Sequence, residues 1–178
     1  MIDLDIANIG VSPLTEQRVI ILKDRVSERY LPIWVGPSEA NAVAIKLEGV
    51  NIQRPLSHDL LLSVIKSLDA RVDSVIINDI RDDTFYGEII LKVGDKKMEI
   101  DSRPSDALAL AVRAGAPIYA EERVIAIAGL SLDEGNENIV QSSVERKPVS
   151  EDELKGMSAF TDFINKLDMD DFIDDKPG

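Results

Sequence analysis

The feature that most narrows the possible folds is a run of strand-like segments joined by turns too short to hold a helix. Arg71 to Ile80 is rich in β-branched residues (Val72, Val75, Ile76, Ile77), which suit a pleated, half-buried surface. Asp82-Asp83-Thr84 reads as a turn, Phe85 to Val93 as the antiparallel partner, Gly94-Asp95 as a second turn, and Lys97 to Asp101 as a third strand. Parallel neighbours need a crossover of a dozen or more residues, so this three-stranded meander is antiparallel. The N-terminal part repeats the theme. Ile2, Leu4, Ile6 and Ile9 alternate with polar residues, Ser12-Pro13-Leu14-Thr15 is turn chemistry, and Val19 to Asp24 and Tyr30 to Val35 are further strands.

Helices interleave with these strands. Gly36-Pro37-Ser38 opens one, with Ala40, Val43, Ala44 and Leu47 at helical spacing and Gly49 as its stop. Ser57 is placed as the N-cap of a second, with Asp59 in its first turn and Leu61, Val64, Ile65 and Leu68 as its apolar stripe. Pro104-Ser105-Asp106 opens a third, whose Ala density predicts close packing. Ile118 to Ala120 is a short strand, and a further helical turn or two follows over 121–128. The expectation is an α+β fold with mixed or antiparallel sheets and packed helices, a compact single domain followed by a C-terminal helical tail.

Charge marks the division. The chain of 178 residues has a net charge of −13. Residues 129–178 hold 13 Asp/Glu and 5 Lys/Arg, a net of −8, whereas residues 1–128 carry only −5. We read 1–130 as a domain, 131–149 as a polar linker with a short strand at Ile139-Val140, and 150–178 as an acidic amphipathic helical tail. The tail opens on Ser150-Glu151-Asp152-Glu153, with Leu154, Met157, Phe160, Ile164 and Leu167 along one side.

Composition removes several chemistries. Zero Cys leaves no disulfide, thiolate nucleophile or Cys-held zinc, and a single His leaves no multi-His zinc site. Aromatics at 4% are thin for a base-stacking platform. A pI near 4.5 argues against passive, charge-driven binding of nucleic acid. No apolar run approaches the ~18 residues of a membrane span, and the N-terminus carries no signal-peptide pattern. A cytoplasmic protein without a membrane partner is the reading that follows. No phosphate loop, nucleophile elbow, calcium loop or zinc-protease motif occurs.

Polar residues gather in four places. Glu39 lies in a first helical turn, either complementing the helix dipole or presenting a carboxylate at a strand-to-helix edge. His58 is the one imidazole and so the obvious acid or base near neutrality, with Arg54 upstream as a phosphate clamp. Asp101, Arg103, Ser105 and Asp106 crowd a strand-to-helix boundary. Capping explains part of that group, while two carboxylates beside an Arg suit a hydrated metal ion and a phosphate oxygen. Asp82 and Asp83 read as turn residues, and Asp79 falls within a strand.

The strings LPIWVGPSEANAVAIKLEG, RPLSHDLL, VIINDIRDDTFYGEIIL and EIDSRPSDALALAVRAGAPIYA resemble, in order and spacing, the bifunctional nuclease domain family. The likeness covers roughly Met1 to Leu130, and the pattern from Phe160 to Phe172 is similar to the C-terminal segment of bacterial members. The resemblance implies a compact, self-associating α+β domain, a dimer being favoured, and a nuclease acting on DNA and RNA. The family's polar motif residues fall on Glu39, Arg54, His58, Asp59, Asp79, Arg103, Ser105 and Asp106. As a phosphodiesterase, the chain is expected to use Glu39, His58 and Asp106 for catalysis. Arg54, Arg103 and Ser105 are expected to bind substrate, and Asp59, Asp101 and Asp106 to hold a divalent metal, Mg²⁺ or Mn²⁺. The alternative is a non-enzymatic binding or regulatory module whose motif residues are helix caps or line an oligomer interface.

Overall fold

The computed structural model describes residues 1–11, 18–131 and 140–141. Strands β1 (Ile2–Val11), β2 (Arg18–Asp24) and β3 (Arg29–Val35) form one antiparallel meander. Helices α1 (Pro37–Leu47) and α2 (Ser57–Ser67) follow. Strands β4 (Ala70–Arg81), β5 (Thr84–Val93) and β6 (Lys96–Ser102) then form the second meander, the one legible from short turns. Asp82 and Asp83 both adopt positive φ (47° and 57°) between the paired residues Arg81 and Thr84. That is the left-handed pair a two-residue hairpin turn requires, and Asp tolerates it better than most residues. The chain closes with α3 (Pro104–Ala114), β7 (Ile118–Ala120), α4 (Glu122–Ala128), β8 (Leu130–Ser131) and β9 (Val140–Gln141).

Among the described residues all nine strands lie in one sheet, in the order β6-β5-β4-β7-β1-β2-β3-β8-β9. The fold is α+β with a mixed sheet, because β7 runs parallel to β4 and antiparallel to β1. The small strand β9 pairs with β8 inside the stretch read as linker, one residue later than expected. The tail helix expected over 150–178 and the turn at 12–15 lie outside the described residues.

Helix α3 sits at the centre. Ala107, Leu108, Ala109, Leu110 and Ala111 are wholly buried, packed against α1, α2, β4 and β5. Alanines allow this close approach on several sides at once, as their density predicts. The strand side of the core is Leu4, Ile20, Leu22, Leu31, Ile33, Val75 and Ile77.

Helix α2 differs from expectation in two respects. Leu56, not Ser57, is its N-cap, with Ser57 the first helical residue. Asp59 supplies the capping, since its carboxylate accepts the Leu56 backbone N–H at 2.9 Å. Of the expected core stripe only Ile65 is buried, while Leu61, Val64 and Leu68 join Leu60 in solvent. The helix is apolar over more of its circumference than one face; Leu62 and Ile65 pack on the core, and His58 reaches Asp106 of α3. No helix among the described residues is long and apolar enough to cross a membrane.

Candidate functional site

Three helices begin at nearly the same point. Glu39 is the third residue of α1, His58 the second of α2, and Asp106 the third of α3, whose N-cap is Arg103. Pro37 and Pro104 occupy first positions, where their missing N–H costs nothing. The Arg103 guanidinium ties the starts together. Its Nε donates to Asp106 Oδ2 at 2.7 Å, and its Nη2 donates to Asp106 Oδ1 at 3.1 Å and pairs with Glu39 Oε1 at 3.0 Å. His58 Nε2 lies 3.1 Å from Asp106 Oδ1. Glu39, His58, Arg103 and Asp106 thus form one continuous cluster, assembled from segments far apart in the chain.

Burial pushes the Asp106 carboxyl up, but Arg103 and His58 outweigh it and hold it below the usual carboxylate range. An ionised Asp106 only accepts hydrogen bonds, so the proton of a neutral His58 belongs on Nε2. That leaves the Nδ1 lone pair available as a base. The side chains sum to −1 with neutral His58. Each helix start contributes a positive dipole end, and three such ends around one point offset that charge and suit a bound anion.

Gly36 makes room for the arrangement. A Cβ there would lie 2.4 Å from Glu39 Oε2, because the Glu39 side chain folds back over the start of its own helix. On the other side, Gly87 of β5 lets the start of α3 approach closely: a Cβ would stand 3.3 Å from the Pro104 backbone.

The remaining predicted residues stand elsewhere. Asp59 Oδ1 accepts from Arg113 Nε at 2.8 Å, and its other oxygen caps α2. Burial raises the Asp59 pKa, while the Leu56 N–H and Arg113 lower it further. Asp101 is exposed on β6, opposite Glu88. Arg54 is exposed between α1 and α2, with no ion pair to the cluster. Ser105 is buried in the first turn of α3, and Asp79 pairs with Arg81 and Arg123. The metal set Asp59, Asp101 and Asp106 therefore does not assemble. Asp59 is engaged by Arg113 and Asp106 by Arg103 and His58, and among the described residues no three His, Asp or Glu side chains make a metal-binding group. Arg103 is the cation that pairs with the carboxylates of the cluster.

Sequence reading missed Arg113. Its side chain is 2% exposed and also donates to the Ala109 carbonyl at 2.9 Å. One charged residue near the end of an Ala/Leu helix was the available signal, and it reads equally well as an ordinary helix end. Through Asp59, Arg113 fixes the turn of α2 that carries His58.

Fold and cluster together define an α+β domain with one polar centre where three helix starts meet. The chain belongs to the bifunctional nuclease domain family, whose model matches residues 20–133. Uncharacterized proteins of two Mycobacterium tuberculosis strains are 38% identical over 96% of this chain and 97% of their own length. Bifunctional nuclease 1 of Oryza sativa subsp. japonica is 24% identical over 77% of this chain and 40% of its own length. Bifunctional nuclease 2 of the same plant is 33% identical over 57% of this chain and 33% of its own.

Proposed function

We propose that the chain hydrolyses phosphodiester bonds of DNA and RNA at the Arg103-centred cluster. The supporting observation is the convergence of its one imidazole, a guanidinium and two carboxylates at three helix starts. In this reading the phosphate faces Arg103 and the helix ends. His58 Nδ1 takes a proton from the attacking water as the new P–O bond forms. Asp106 balances the imidazolium, and the departing oxygen takes its proton from solvent. Arg54 is close in sequence to α2 and adds a second cation along the substrate.

The test is cleavage of single-stranded DNA and RNA by highly purified protein. His58→Gln is expected to lower the rate by about 10²-fold or more with an unchanged melting curve. Full cleavage by His58→Gln would place the activity elsewhere. Binding of oligonucleotide without any cleavage by the wild type would favour the non-enzymatic binding module. Gly36→Ala gives a finer check. Only the flexible end of Glu39 must move, so stability is expected to hold within about 0.5 kcal/mol. Cleavage should nevertheless fall several-fold as the Glu39–Arg103 contact is displaced. Equal activity would show that the placement of Glu39 is immaterial.

Self-association is supported by α2. Leu60, Leu61, Val64 and Leu68 are 39–69% exposed, and the 61-64-68 spacing is that of a helix-pairing seam. A second copy using the same stripe would bury it about a two-fold axis. Light scattering should therefore show a dimer for the full chain and a monomer for Leu60→Lys/Val64→Glu. A mass unchanged by that double substitution would remove α2 from the interface.

A further inference from the structure

A second recess, separate from the Arg103 cluster, lies between α1 and the bulged part of β1. It is a half-open groove of about 510 Å³, large enough to admit a small ligand. Its existence has local causes. The β1–β2 register shifts between Ile6 and Asn8, so Ala7 is an extra residue in β1. Ala40 and Ala44, one turn apart on α1, face the same space and leave it unfilled. Bulges are enriched where a strand re-aims side chains beside a functional site.

The lining mixes aliphatic side chains with the polar residues Asn8, Arg18, Asn41 and Glu48. Arg18 lines it, and its Nε is buried without a hydrogen-bond acceptor. No ion pair to Arg18 exists among the described residues. Asn8, also in the lining, uses its Oδ1 to accept the Ile9 N–H at 2.7 Å, which leaves its amide NH₂ as a donor. A buried donor without an acceptor is costly, and this one belongs to a guanidinium cation, which calls for a negatively charged acceptor. Glu48 is the exposed acidic residue of the lining, and it disfavours a second negative charge on any occupant.

We propose that this recess binds a small monocarboxylate with a short aliphatic body. The carboxylate meets Arg18 and Asn8, and the aliphatic part lies against Ile9, Ala44 and Ile45. The probe is 4-methylpentanoate, added to the full chain and followed by calorimetry and by the melting temperature. Saturable binding and a raised melting temperature are expected. The neutral 4-methylpentanamide, succinate and inorganic phosphate should each bind about tenfold more weakly or not at all.

Arg18→Gln removes the guanidinium, and Ala44→Leu fills the recess while keeping Arg18. Each should weaken 4-methylpentanoate binding about tenfold or more, with the fold checked by circular dichroism. Failure of the wild type to bind would overturn the assignment. Equal binding by either folded variant would also overturn it, as would succinate or phosphate binding as tightly as the monocarboxylate. None of these outcomes depends on nuclease activity.

Discussion

Asp106→Asn is expected to reduce phosphodiester cleavage by two to four orders of magnitude while the protein stays folded, an estimate of about 10²–10⁴ from comparable His-orienting carboxylates. The substitution is nearly isosteric, so packing at the start of α3 should persist. What changes is charge and hydrogen bonding. The carboxylate now accepts from Arg103 with both oxygens and lies 3.1 Å from His58. An amide presents one oxygen and one NH₂. The NH₂ meets an Arg103 donor in either orientation, and at the Oδ1 position it also faces His58, where it would favour the tautomer with the proton on Nδ1 and consume the base. The imidazolium also loses its counterion. The measurement is a rate on a fixed oligonucleotide, paired with a denaturation curve. A folded Asp106→Asn variant cleaving within a few-fold of the wild type would show that His58 does not act through Asp106.

The second large effect concerns stability and acid. Asp24 ends β2 with its side chain only 3% exposed. Its carboxylate accepts from the Val26 N–H at 2.9 Å, Ser27 Oγ at 2.6 Å, and Arg29 Nε and Nη2 at 3.2 and 2.9 Å. Burial raises its pKa, but these donors prevail and bring it down to about 2 from 3.8. A carboxyl depressed in the folded state contributes stability above its unfolded pKa and loses it as pH falls through the folded one. The wild type should therefore lose about 2 kcal/mol from this group between roughly pH 4 and pH 2. Asp24→Asn should cost about 3 kcal/mol at pH 7, because it strips a buried charge from the Arg29 pair. Its stability should also be flatter with pH across that window. Urea unfolding at pH 7, 4 and 2 measures both. A variant as acid-sensitive as the wild type would assign the acid response to other carboxylates.

Much of the fold was legible because its signals are local. Short turns fixed the meander β4-β5-β6, alternation marked β1, and Pro at a first helical position marked α1 and α3. The place of β7 was not legible. Three residues, Ile118-Tyr119-Ala120, carry no sign that they pair with two strands lying about forty and more than a hundred residues away. The inward side of α2 was misread for a related reason. Apolar periodicity reveals that a face seeks cover, not which of two covers it obtains. Of the polar residues, Glu39, His58, Arg103 and Asp106 were identified by type and position. Their meeting depends on how α1, α2 and α3 pack, which no motif encodes. Asp101 and Asp59 looked equivalent to Asp106 in sequence, yet one faces outward from a strand at the sheet edge and the other is taken by Arg113.

The three residues of β7 also bridge the two halves of the chain that carry the centre. They join two meanders that are each built from contiguous chain, pairing Ile118 with Leu4 on one side and with Val75 on the other. Glu39 follows the last strand of the first meander, and Arg103 and Asp106 follow the last strand of the second. The centre is thus divided between two halves of the chain, and its geometry holds only while α1, α2 and α3 stay packed together.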